Sequence, residues 1–144
     1  MTIVVTKKIS QIVVNPTQNV IALARGVSNV TLNVTSVSGE NLLAYHAVVA
    51  INGLLYTADI FDEDHIGRVV GVLKTSALSG AQATYAQIGL VTGASALTPG
   101  PLFVGASGVL TSNPDTVGAV WQQQLAIAIT ATELVVTLNT PFFR

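Results

Sequence analysis

At 144 residues the chain is long enough for one domain with a core of its own and too short for two ordinary ones. Half of its residues are hydrophobic and only 9% are charged, against roughly a quarter in typical soluble domains, so apolar surface must be hidden by some route beyond the fold, and an obligate oligomer is the expectation. The absence of cysteine and a formal net charge of −1 exclude disulfides, thiolate metal sites and thiol nucleophiles, and they leave no cationic footprint for a nucleic-acid partner.

The first 38 residues carry Lys7, Lys8 and Arg25 and no acid. Short strand-like pieces, Ile12-Val13-Val14 and Val20-Ile21-Ala22-Leu23, flank a turn signal at Asn15-Pro16. This composition predicts an extended N-terminal arm over residues 1–38, with the three cations as interface candidates. No cationic start, apolar run and small-residue cleavage site of a secretory signal precedes it, so a cytoplasm is the expected place of synthesis. Within the arm, Val30-Thr31-Leu32-Asn33-Val34-Thr35 alternates as a half-buried strand does, with Val30, Leu32 and Val34 on one side. The composition breaks at Ser36-Val37-Ser38-Gly39-Glu40-Asn41, which places the start of a β-domain at residue 39.

From 39 to 144 the residue types favour strands nearly throughout. Val49-Ala50-Ile51-Asn52-Gly53-Leu54-Leu55-Tyr56-Thr57 reads as strand, turn, strand, because Asn-Gly accepts the positive φ of a type I′ turn. Phe103-Val104-Gly105-Ala106-Ser107-Gly108-Val109-Leu110-Thr111 repeats that shape with Ser-Gly. Each hairpin is followed by a loop, Asp59 to His65 and then Ser112 to Thr116, and by a glycine that opens another apolar stretch, Gly67-Arg68-Val69-Val70-Gly71-Val72-Leu73 and Gly118-Ala119-Val120-Trp121. The echo is consistent with a duplicated β-unit or with the ordinary rhythm of a small barrel or sandwich. Residues 117–131 lack the capped i, i+3, i+4, i+7 spacing of a helix and read as strand. Glu133 to Asn139 alternates and stops at Thr140-Pro141. The charge-free stretch Thr75 to Pro114 is broken by Gly80, Gly89, Gly93, Pro99, Gly100 and Pro101, so no span of about 20 apolar residues crosses a bilayer. The fold class expected is all-β, a compact β-barrel or β-sandwich preceded by the arm.

The densest ionisable cluster is Asp59-Ile60-Phe61-Asp62-Glu63-Asp64-His65. Its acids could supply oxygen ligands, yet it lacks the spacing and central glycine of a calcium loop, and a solvated loop between strands is the expectation. His46, beside Tyr45, is expected at a strand edge and His65 in the loop, with no Gly-x-Ser-x-Gly elbow or nucleophile pattern to recruit them. No glycine pattern for nucleotides is present. The expectation is a protein without enzymatic activity, cofactor or metal. Trp121, in Trp121-Gln122-Gln123-Gln124, and the terminal Phe142 and Phe143 are interface candidates, since aromatic side chains supply rigid contact area. For the tryptophan, core packing is the favoured alternative.

Two stretches carry a family resemblance. Leu102-Phe103-Val104-Gly105-Ala106-Ser107-Gly108-Val109-Leu110-Thr111-Ser112-Asn113-Pro114, followed by Trp121-Gln122-Gln123-Gln124-Leu125-Ala126-Ile127-Ala128-Ile129-Thr130-Ala131-Thr132-Glu133-Leu134-Val135-Val136, resembles a β-module of tailed-bacteriophage virion proteins of the head-decoration, head-fibre and tail-fibre types. Gly53-Leu54-Leu55-Tyr56-Thr57-Ala58 and His65-Ile66-Gly67-Arg68-Val69-Val70-Gly71-Val72 look like the preceding part, so the resemblance runs from Leu43 to Leu138. Ala126 stands where that family often has glycine. Asn15-Pro16-Thr17-Gln18-Asn19-Val20 is similar to arms that precede such modules. The resemblance implies a virion protein assembled in the host cytoplasm, in which the arm holds the major capsid protein or another virion protein and the β-domain forms an exposed homo-oligomer, a homotrimer in the usual case. Capsid decoration or head fibre is the first expectation. A tail fibre or adaptor contacting a host receptor or another tail subunit is the second, and the missing repetitive shaft argues against it.

Overall fold

A computed structural model describes residues 31–114 and 117–144. Among them the alternating stretches become eleven strands: β1 Leu32–Ser38, β2 Ala47–Ile51, β3 Leu54–Thr57, β4 Val69–Leu73, β5 Gln82–Thr92, β6 Gly100–Val104, β7 Leu110–Thr111, β8 Trp121–Gln122, β9 Gln124–Ala128, β10 Glu133–Val136 and β11 Phe142–Phe143. Both hairpins form where the turn chemistry places them. Asn52 and Gly53 take φ of 50° and 81° between β2 and β3, and Ser107 and Gly108 take 52° and 74° at the tip between β6 and β7. Positive φ at two successive positions gives a type I′ turn, whose twist matches the strands on either side.

The first five strands close a barrel. β2 pairs antiparallel with β3 and β4, β4 with β5, and β5 with β1, which completes the circuit by lying parallel to β3. Leu42, Val48, Leu55, Leu73, Ala83 and Tyr85 fill one core with Val34 against it. Neighbours of opposite pleat, Ala47, Val49, Val72 and Ala86, belong to a second core. Burial on both faces explains why β2 reads as an apolar run rather than a clean alternation.

β5 is long enough to serve two sheets. Its first part pairs with β1 up to Ile88, and Gly89 to Thr92 pair with Val136 to Glu133 of β10. The sheet then continues through β9 and β6 to β7. Its inner side chains, among them Val91, Leu102, Leu125 and Leu134, join the second core with the fully buried Trp121.

The strand order resolves the echo of the two hairpins. β3-β2-β4-β5 in the first half has the same arrangement as β7-β6-β9-β10 in the second. The counterpart of β4 is therefore β9, not the Gly118–Trp121 stretch. That stretch leads into β8, whose partner is β11 in a separate two-stranded sheet.

The boundary expected at residue 39 is corrected for residues 32–38. This stretch is a barrel strand, with Val34 opposite Tyr85 and Ser38 beside Leu55. The composition break marks the turn that leaves the strand, where the Gly39 amide donates to the Leu55 carbonyl at 2.8 Å. Leu32, expected on the side of Val34, is 51% exposed, because the register shifts between Leu32 and Asn33 and a one-residue slip turns a side chain to the other face. Lys7, Lys8, Arg25 and Val30 lie outside the described residues.

Candidate functional site: an apolar sheet face and an acidic cleft

The outer face of the second sheet carries one row across four strands. Leu90 of β5 stands opposite Val135 of β10, Val135 opposite Ile127 of β9, and Ile127 opposite Pro101 of β6. Leu90 and Val135 are half-buried, while Ile127 and Pro101 are exposed. Ile88, opposite Leu32, and Ile129, whose amide donates to Glu133, widen the row. Glu133 is the one acid on these strands. Contiguous apolar surface of this kind is a candidate contact surface.

The signal for this face was present in the sequence. In Leu125-Ala126-Ile127-Ala128-Ile129 the alanines point inward and the isoleucines outward, the inverse of a strand with solvent on its outer side.

The C-terminal aromatics divide from Trp121. Phe142 and Phe143 are 51% and 73% exposed on β11, opposite Gln122 and Trp121. Trp121 itself is completely buried and donates its Nε1–H to the Asp62 carbonyl at 2.9 Å. It packs within the second core. Arg144 donates to Gln122 Oε1 at 2.6 Å, which holds the last strand in place.

A cleft of about 570 Å³ opens between the acidic loop and the second hairpin tip, lined among others by Glu40, His46, Tyr56, Asp59, Asp62 and His65. It brings together both histidines, which are 19 positions apart in sequence. Their tautomers are set oppositely. His46 Nδ1 lies 3.0 Å from the Ser107 carbonyl and must donate, whereas His65 Nδ1 lies 3.0 Å from the Asp59 amide and must accept. The carboxylates serve the local backbone: Glu40 accepts from the Thr57 amide at 2.8 Å, Asp59 from Phe61 at 3.1 Å and Asp62 from Asp64 at 2.9 Å. Asp62 thereby caps a 3₁₀ turn at Glu63–His65. Among the described residues no three of His, Asp and Glu are grouped to hold a metal ion.

No family model and no curated protein matches the chain. Among solved structures, the head fibre gp8.5 N base of bacteriophage phi29 is similar over 75% of this chain and 95% of that one, at 14% identity and a TM-score of 0.44. That overlap is too loose to transfer a fold or a function.

Proposed function

We propose that the chain is a structural protein of a tailed-bacteriophage particle, a capsid decoration or head-fibre protein without enzymatic activity. It assembles with copies of itself, as a trimer, and its N-terminal segment holds the major capsid protein. The observation that carries this reading is the Leu90, Val135, Ile127 and Pro101 row, an apolar face of the sort that subunit interfaces cover. The motif resemblance over Leu43 to Leu138 supplies the particle. The charge division supports the attachment: residues 1–30 hold Lys7, Lys8 and Arg25 and no acid, for +3, while 31–144 hold three cations and seven acids, for −4, summing to −1. A cationic segment fits an acidic shell surface and is steered to it.

Native mass measurement of the purified protein at micromolar concentration, together with density mapping on intact particles, tests this. The expected result is a homotrimer in solution and density on the head lattice. A stable monomer overturns the self-assembly, and density confined to the tail overturns the head assignment in favour of a tail adaptor.

A further inference from the structure

We infer that His65 is an acid-sensitive latch on the Asp59–His65 loop, closed while its ring is neutral and opened when the ring takes up a proton, and that Trp121 reports its state.

The latch follows from donor and acceptor chemistry. A backbone amide only donates, so the 3.0 Å contact from the Asp59 amide requires a lone pair on His65 Nδ1. The proton of the neutral ring then sits on Nε2, 3.6 Å from the Asp62 carboxylate. A proton taken from water at Nδ1 replaces that lone pair with an N–H, and two donors face each other across the loop. The hydrogen bond is lost and the new N–H needs an acceptor. Imidazole is the side chain whose ordinary titration falls between pH about 5 and 8.

Several charged groups stand around the ring. Asp62 lies beside Nε2, and Asp59, Glu63 and Asp64 belong to the same loop, with Arg68 following it. Glu40, His46 and Tyr56 line the same cleft. The carboxylates of Glu40, Asp59 and Asp62 already accept from the backbone amides of Thr57, Phe61 and Asp64. The His65 side chain is 12% exposed.

His46 responds differently. Its Nδ1–H already points at the Ser107 carbonyl, so a second proton arrives at Nε2 and leaves that bond intact. The loop has a wired reader as well. The Asp62 carbonyl accepts from the Trp121 indole at 2.9 Å and the Ile60 carbonyl from the Val120 amide at 2.9 Å. Trp121 is the chain's single tryptophan.

The test is a titration of the full chain from pH 8 to 5, following backbone amide and imidazole resonances by NMR and Trp121 by fluorescence. The Asp59 amide is expected to leave its hydrogen-bonded position and lose exchange protection, with the same midpoint as the His65 ring and the Trp121 emission. His65→Asn, which offers an oxygen near Nδ1 and does not titrate, is expected to hold both signals flat, while His46→Asn leaves them titrating as in the parent. A His65 ring that titrates while the Asp59 amide stays put overturns the latch, as does an unchanged Trp121 transition in His65→Asn. Should that variant not fold, the comparison of ring and amide in the parent decides alone.

Discussion

Gly108, at the tip of the second hairpin, lies so close to Ala47 of the first that a Cβ built on it would stand 2.8 Å from the Ala47 carbonyl oxygen and 2.7 Å from Thr57 Cγ2. The two hairpins are thus docked through a missing side chain. Gly53 holds the equivalent turn position in the first hairpin, with φ +81° against +74° for Gly108, and nothing lies within 4 Å of its Cβ position. Gly53→Ala is expected to cost only the left-handed backbone penalty, about 1–2 kcal/mol. Gly108→Ala adds the overpacking of the docked tip, a further ~1–3 kcal/mol. Denaturant unfolding of the pair separates the two contributions.

Trp121→Phe keeps a large ring in the second core and removes the indole donor to Asp62. A loss of about 1–3 kcal/mol is expected from the missing hydrogen bond and the smaller ring. Thermal unfolding measures it.

Ile127→Asp and Val135→Asp place charge in the middle of the outer row. Both residues point away from the two cores, so the fold is expected to keep its stability within about 1 kcal/mol while the oligomer dissociates. Native mass and unfolding curves on the same samples distinguish lost assembly from lost folding.

Deletion of residues 1–30 leaves every barrel pairing from Leu32 onward in place. Deletion of 1–38 removes β1 and uncovers the edges of β3 and β5. The shorter deletion is expected to unfold in one cooperative transition and to lose binding to empty shells. The longer one is expected to lose the transition itself, as circular dichroism during heating would show.

Burial raises the pKa of the Tyr85 phenol above its ordinary value by penalising the phenolate. Because the folded value exceeds the unfolded one, its contribution to stability is present below pH about 10 and is lost as pH rises through the folded value. Tyr85→Phe is expected to flatten the alkaline fall in unfolding free energy. Ultraviolet titration of the phenols, compared between parent and variant, identifies the late-titrating group.

The hairpins were legible because Asn52-Gly53 and Ser107-Gly108 encode positive φ locally, and local steric rules need no tertiary information. The fate of residues 32–38 was not. The alternation there announces a strand, yet it does not say that Tyr85 and Thr84 complete it from about fifty positions downstream. The cations of the first 30 residues drew the whole segment into an arm by composition. In the candidate site, Phe142 and Phe143 stand out in the sequence as aromatics, and both are exposed. The row across Leu90, Val135, Ile127 and Pro101 was missed because each strand contributes one residue and only the register assembles them. The meeting of His46 and His65 in one cleft likewise depends on how the loop after β3 folds back.

Because the barrel closes only when β1 meets β5, Leu32 must wait for Ile88. The far end of β5 waits longer, until Glu133 to Val136 arrive. On a ribosome neither event can happen until those residues have left the exit tunnel, and closing such distant pairings is intrinsically slow. The outer row needs both. A chain still emerging therefore has no complete outer row until Glu133 to Val136 are free to pair with β5.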